Sequence, residues 1–152
     1  MSNLIPDSDY DSIKGQQVGK KGTSRTAYEH KSNSERIIKF ANNGTPAANF
    51  LEWYIWAGLK DSEYKNMFAQ CYSISKTGDH LEMEKLTPLT KSDMPAYHAL
   101  KLPAWFQDKK PGNFGKSDKG EIKCLDYGLI NFSALLNMGV KHSYDPFSDI
   151  KG

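Results

Sequence analysis

The chain has 152 residues, of which 38% are hydrophobic and 12% aromatic, and its formal net charge is +2. That length suits one domain or two small lobes sharing a site, and the composition excludes an intrinsically disordered chain. The charge is small and the lysines are scattered, so nothing argues for a nucleic-acid partner and none is expected. No apolar stretch approaches membrane-spanning length. The polar start, Met1 to Pro6, lacks the apolar core of a signal peptide. A soluble cytoplasmic protein is expected, with no membrane contact.

Residues 1–14 are polar, with several Asp and Ser, and read as a flexible N-terminal arm. Gln16 to Lys20 and Thr26 to His30 read as strands joined by a Gly22-Thr23-Ser24 turn, and Ile37 to Phe40 as a third. The breaker cluster Asn42 to Pro46 predicts a helix start, with Thr45 as N-cap and Pro46 in the first turn. The helix should reach about Leu59. Its large apolar residues, Phe50, Trp53, Ile55, Trp56 and Leu59, do not share one face, so it should pack on more than one side. Strands are predicted over Met67 to Ser73 and His80 to Glu84, around a Gly78-Asp79 turn. A short helix follows over Ser92 to Leu100, then a hairpin from Asn113 to Gly128 turning at Ser117 to Gly120. A last short helix is expected around Phe132 to Val140. The order predicts an α+β fold with a mainly antiparallel sheet first.

Asp108-Lys109-Lys110-Pro111-Gly112-Asn113, followed by Asp126-Tyr127-Gly128, carries the strongest chemical signal. It brings together carboxylates, a lysine and an amide, and phosphoryl transfer needs such groups to orient an acceptor hydroxyl and hold magnesium. Lys39 lies inside the apolar strand Ile37 to Phe40, where an ammonium needs a partner. An alternating strand could instead turn Lys39 to solvent. Cys71 and Cys124 read as buried, reduced thiols. The four histidines show no metal-ligand spacing.

With these motifs the chain resembles the protein-kinase-like superfamily in a severely shortened, C-lobe-truncated serine/threonine-kinase-like form, similar to small bacteriophage-encoded kinase-like proteins. The resemblance implies an antiparallel-sheet N-lobe with one helix (15–86) and a shortened C-lobe (87–152) carrying the catalytic and metal-binding loops. By resemblance, Asp108 orients the acceptor hydroxyl and Lys110 neutralises the transferred phosphoryl group. Asn113 and Asp126 hold Mg2+. Lys39 binds the ATP phosphates and pairs with a helix glutamate, for which Glu52 is the natural residue and Glu63, beyond the expected helix end, a rival. Gly22, Thr23 and Ser24 stand for the glycine-rich turn, of which Gly19-Lys20-Lys21-Gly22-Thr23-Ser24-Arg25 is a partial match with Arg25 at the third glycine, the amides of Thr23 and Ser24 reaching phosphate and Lys20, Lys21 or Arg25 adding charge. Ala27 lines the adenine site, and Met83-Glu84-Lys85-Leu86 is the linker whose backbone meets the adenine edge, with Glu84 at its centre.

The pattern departs from the family in three places. Phe106-Gln107 replaces His-Arg before Asp108, which removes the arginine that answers a phosphorylated activation loop. The interval from Glu84 to Asp108 is short, and little chain follows Gly128. The helices that normally cover the catalytic loop are therefore missing. Trp105, Phe106, Phe132, Leu135 and Leu136 are then candidates for an exposed apolar patch, which implies a homodimer or a protein partner there, unless the C-terminal residues fold back over it. The expected function is a minimal ATP-dependent phosphotransferase acting on a protein. The alternative is a kinase-like (pseudokinase) module that binds and modulates a host or virion protein.

Overall fold

A computed structural model describes residues 4–22, 24–103, 110–127 and 147–149. The protein is a small α+β chain with mostly antiparallel sheets and, among the described residues, few helices. It divides into two units, Met1–Lys85 and Leu86–Gly152.

The first unit is built on a six-stranded sheet. A two-residue strand β1 (Leu4–Ile5) and a short helix α1 (Asp7–Ile13) lead into an antiparallel meander of β2 (Lys14–Val18), β3 (Arg25–His30) and β4 (Arg36–Ala41). Helix α2 (Ala47–Leu59) follows, then the hairpin β5 (Cys71–Ser75) and β6 (His80–Glu84). β6 pairs with β4, and β1 runs parallel to β5, giving the order β1-β5-β6-β4-β3-β2. The β-branched and aromatic content of β3 and β4 suits a pleated, half-buried surface. Ile38 and Ala41 are buried in the central strand β4.

Helix α2 packs on β4, β5 and β6. It buries Asn49, Glu52, Trp53, Ile55 and Leu59 and leaves Tyr54 exposed. Residues paired across antiparallel strands share a face. Arg25 pairs with Ala41, Ala27 with Lys39, and Lys39 with Leu81, so these side chains stand on one face of the sheet. The turn before β6 needs a glycine. Gly78 has φ +82°, and a Cβ there would collide with the Phe50 ring.

The second unit contains a three-stranded sheet, β10 (Ile122–Cys124), β9 (Phe114–Lys116) and β7 (Thr87–Pro88), with helix α3 (Met94–His98) between β7 and β9 in the chain. β8 (Lys101–Pro103) pairs with β11 (Phe147–Asp149). Leu86, Tyr97, Leu102, Phe114, Cys124 and Tyr127 are buried. The Tyr97 and Phe114 rings meet edge to face at 5.4 Å. Lys116 reaches Asp93 at 3.0 Å, and the Thr90 backbone N–H also donates to Asp93. These two bonds hold the Asp93 carboxyl below its usual range.

Several expectations need correction. The described part of the expected flexible arm, residues 4–14, is ordered as β1, α1 and the start of β2. Acidic Asp7 and Asp9 sit in the first turn of α1, where the helix dipole favours them. Thr45 does not cap α2. Its hydroxyl donates back to the Asn42 carbonyl at 2.6 Å, and Pro46 holds the cap position. The strand expected from Met67 begins only at Cys71, because Lys65–Met67 forms a 3-10 turn and Phe68 and Ala69 plunge into the core. The helix expected over 92–100 shortens to a 3-10 turn, Lys91–Asp93, followed by α3. Strands β7, β8 and β11 were not foreseen. The helix expected near 132–140 and the apolar patch residues Trp105, Phe106, Phe132, Leu135 and Leu136 lie outside the described residues.

Candidate functional site

In the first unit the chemistry gathers on Glu52. Strand β4 delivers Lys39 and helix α2 delivers Glu52, on facing surfaces. Lys39 Nζ donates to Glu52 Oε1 at 3.0 Å. Helix α2 ends at Leu59, and the rival Glu63 is exposed beyond it. Lys39 and Glu52 are both buried, so the strand does not turn its lysine to solvent.

Arg25, at the start of β3, grips the same carboxylate with both guanidinium arms, Nη1 to Oε1 at 2.6 Å and Nη2 to Oε2 at 2.9 Å. The side chains of Arg25, Lys39 and Glu52 are 11%, 8% and 0% exposed. Asn49, three positions before Glu52 on the buried stripe of α2, fixes the surroundings. Its Oδ1 accepts from Arg25 Nη1, and its Nδ2 donates to the carbonyls of Lys39, Gly78 and Asp79.

Burial by itself would push the Glu52 carboxyl up. The positive charges and hydrogen bonds of Lys39 and Arg25 outweigh it and hold the group down at about 2, below an ordinary 4.5. Between those values the unfolded chain binds more protons than the folded one, so stability rises with pH across that window. The Glu52 contribution is therefore complete above about pH 4.5 and is lost as the pH falls toward 2. Urea unfolding at a series of pH values should show this acid limb, and it should flatten in Glu52→Gln. An unchanged limb in that variant would place the acid sensitivity elsewhere.

The turn before β3 is clamped onto the end of β4. Asn42 Nδ2 donates to the Gly22 carbonyl at 2.9 Å, the Asn42 N–H donates to the Ser24 carbonyl at 2.8 Å, and Thr26 Oγ1 donates to Asn42 Oδ1 at 2.8 Å. The Gly22 N–H closes the turn on the Arg25 carbonyl at 2.9 Å. A Cβ at Gly22 would come within 2.5 Å of that carbonyl oxygen, which is why glycine stands there. Gly22 and Ser24 are exposed. Thr23 lies outside the described residues. Ala27 is half-buried next to Lys39 across the β3–β4 ladder. Glu84 ends β6, where its carboxylate accepts from the Gln70 N–H at 3.1 Å. The division between the two units falls just after it, between Lys85 and Leu86.

In the second unit, Lys110 is exposed and precedes a 3-10 turn, Pro111–Asn113. The turn feeds β9. Cys124 pairs with Phe114, and the Leu125 N–H donates to the Asn113 carbonyl at 2.8 Å. The two expected metal ligands, Asn113 and Asp126, therefore stand at the same end of one hairpin, both half-buried. Asp126 is steadied through its carbonyl, 3.4 Å from Cys124 Sγ, and Tyr127 anchors the segment by burying its ring. Asp108 and Gly128 lie outside the described residues. Among the described residues, no group of three or more His, Cys, Asp or Glu is placed to hold a metal ion. Asn113 and Asp126 nevertheless offer hard oxygen donors. These suit Mg2+, which commonly takes one or two protein ligands and completes its shell with water and phosphate oxygens.

The chain matches no protein-family model and no curated protein. No helix among the described residues is long and apolar enough to cross a membrane.

Sequence reasoning named Lys39 and Glu52 but not how three residues enclose them. Arg25 read as a charge for the phosphates at the third glycine position, and its double grip on Glu52 went unseen. Asn42 stood only in the turn cluster before the helix, and Asn49 was not singled out. Their one signal was weak: Asn49 precedes Glu52 by three, which is same-face spacing on a helix.

Proposed function

We propose that this chain is a minimal protein-kinase-like phosphotransferase that uses Mg-ATP and transfers a phosphoryl group to a serine or threonine of a protein. The observation that carries the reading is the buried ion pair between Lys39, on the last strand of the antiparallel meander, and Glu52, on the helix that follows it. In protein kinases a strand lysine paired with a helix glutamate positions the nucleotide phosphates. The common end of the hairpin shared by Asn113 and Asp126 supports the reading from a second direction. In it, Lys39 binds the phosphates, with the turn of Gly22, Thr23 and Ser24 alongside and the backbone N–H groups of Thr23 and Ser24 as donors. Ala27 and Glu84 flank the base. Asn113 and Asp126 hold Mg2+, Asp108 orients the acceptor hydroxyl, and Lys110 offsets charge on the transferred group. Mg2+ supplies charge neutralisation on the phosphates when bound.

Thermal melting with Mg-ATP tests this. Ligand at a hundred times its Kd stabilises by about 2.7 kcal/mol, which for a chain of this size raises Tm by several degrees, roughly 2–4 °C per kcal/mol. The rise should require both Mg2+ and nucleotide and should vanish in Asp126→Ala. Labelled ATP should also transfer phosphate to protein. A Tm indifferent to millimolar Mg-ATP would end the reading. Binding without transfer would leave the nucleotide-holding, partner-binding module in its place.

A further inference from the structure

We infer that the cavity beside the β3–β4 turn is a second binding site, built for a small phosphate monoester and separate from the Lys39–Glu52 pair. The cavity, about 340 Å³, is lined by the turn, the adjoining strand ends and Lys85. That volume lies at the small end for ligand cavities. Arg36 and Lys39 are three residues apart on β4, so the pleat sets their side chains on opposite faces of the sheet.

Three observations carry it. The first is the wall. No residue lining the cavity is apolar, and the cations Lys31, Arg36 and Lys85 meet a single lining carboxylate, Glu29. A flat ring or an acyl chain finds no surface to bury here, whereas an anion finds three positive charges. The second is which polar groups are already occupied. The side-chain acceptors of the turn serve the fold: His30 Nδ1 accepts from the Ser32 N–H and Asn33 Oδ1 from the Glu35 N–H, both at 3.0 Å. The donors remain open. Among the described residues, Lys31 Nζ, Asn33 Nδ2 and the hydroxyls of Ser32 and Ser34 have no hydrogen-bond partner, and Arg36 uses Nη1 alone of its side-chain nitrogens. Lys85 Nζ is 3.5 Å from Glu29 Oε1 at an exposed position. A wall of open donors complements a group rich in acceptor oxygens, which is what a phosphate offers.

The third is that the central cation is already held in place. Arg36 Nη1 donates to Glu82 Oε2 at 3.0 Å, and its guanidinium lies over the Tyr72 ring at 3.7 Å. Glu82 is buried, accepts from Ser73 at 2.9 Å and faces His30 Nε2 at 3.5 Å. The Arg36 N–H donates to the Asn33 carbonyl, and the Lys85 N–H to the Glu35 carbonyl, which ties Lys85 to the turn. Little ordering is therefore required when a ligand arrives, and the planar guanidinium keeps Nε and Nη2 for phosphate oxygens. Glu29 is the one group that opposes an anion, because it competes for Lys85.

NMR titration of the isotope-labelled full chain tests the inference with glycerol 3-phosphate, inorganic phosphate, and chloride at matched ionic strength. The Ser32 and Asn33 amide signals report this site, and the Lys39 amide reports the other. Both phosphates should give saturable shifts at Ser32 and Asn33, chloride should not, and Lys39→Ala should keep them. Tighter binding of glycerol 3-phosphate assigns the site to esters and equal affinity to the free anion; either supports the inference. Arg36→Gln should weaken binding about tenfold. Lys85→Gln should weaken it about threefold, and Glu29→Gln should tighten it by a similar factor by freeing Lys85. Should Arg36→Gln fail to fold, the two exposed positions decide: loss in Lys85→Gln together with gain in Glu29→Gln supports the inference, and any other pair of outcomes overturns it. No saturable shift at Ser32 and Asn33 up to about 10 mM of either phosphate, or shifts confined to Lys39, also overturns it.

Discussion

Glu52→Ala should destabilise the folded chain by about 3–5 kcal/mol, more than the loss of either cation beside it. The carboxylate is fully buried and accepts from Arg25 at 2.6 and 2.9 Å and from Lys39 at 3.0 Å. Its removal leaves two nine-tenths-buried cations repelling each other. Losing Lys39 or Arg25 instead leaves Glu52 with one partner, so those variants should be milder. The order of damage is thus Glu52→Ala first, the single cation variants after it. Urea denaturation of the three variants gives the ranking directly. A loss below about 1 kcal/mol in Glu52→Ala would mean that the trio is no more than a surface ion pair in energy.

Tyr10→Ala should cost a comparable ~3–5 kcal/mol, the range for truncating a large buried aromatic. This residue lies in the stretch whose composition reads as a loose arm, yet it is 0% exposed. Its ring stacks on His80 at 4.9 Å, and His80 in turn meets Phe40 at 4.9 Å. Its hydroxyl is 2.6 Å from Ser73 Oγ, which donates to Glu82 Oε1 at 2.9 Å, while Arg36 Nη1 donates to Glu82 Oε2 at 3.0 Å. Burial and neighbouring carboxylates push the Tyr10 phenol up to about 12, so it stays protonated. Tyr10→Phe removes only the hydroxyl and should cost about 1 kcal/mol. Two variants indistinguishable from wild type, within about 0.5 kcal/mol, would show that α1 does not dock.

What the sequence made legible follows from how local each signal is. The β3–β4 strands and the 114–124 hairpin were readable because β-branched residues and turn residues such as Gly120 sit next to each other in the chain. Lys39 was readable as needing an anion because it lies inside an apolar strand, and the resemblance supplied Glu52 as its partner. Helix α1 was not readable, because a single ring with no apolar period docks it. The late start of β5 was hidden for a different reason: Phe68 and Ala69 are as buried as strand residues without pairing as one. Arg25 escaped because its partner lies on another element, and nothing near it in sequence announces that contact. Asn42 and Asn49 carry types common in turns, and only the folded chain shows their bonds to two strands and two turns.

The two-residue strand β1 has a consequence for handling the protein. It occupies the outer margin of β5 through parallel pairing of Leu4 with Ile74 and Ile5 with Ser75. Proteolytic nicking or trimming ahead of α1 would uncover that row of backbone donors and acceptors beside buried Ile74 and Ser75. Such an open margin templates strand addition from another molecule, so shortened preparations should self-associate more strongly with rising concentration than the intact chain.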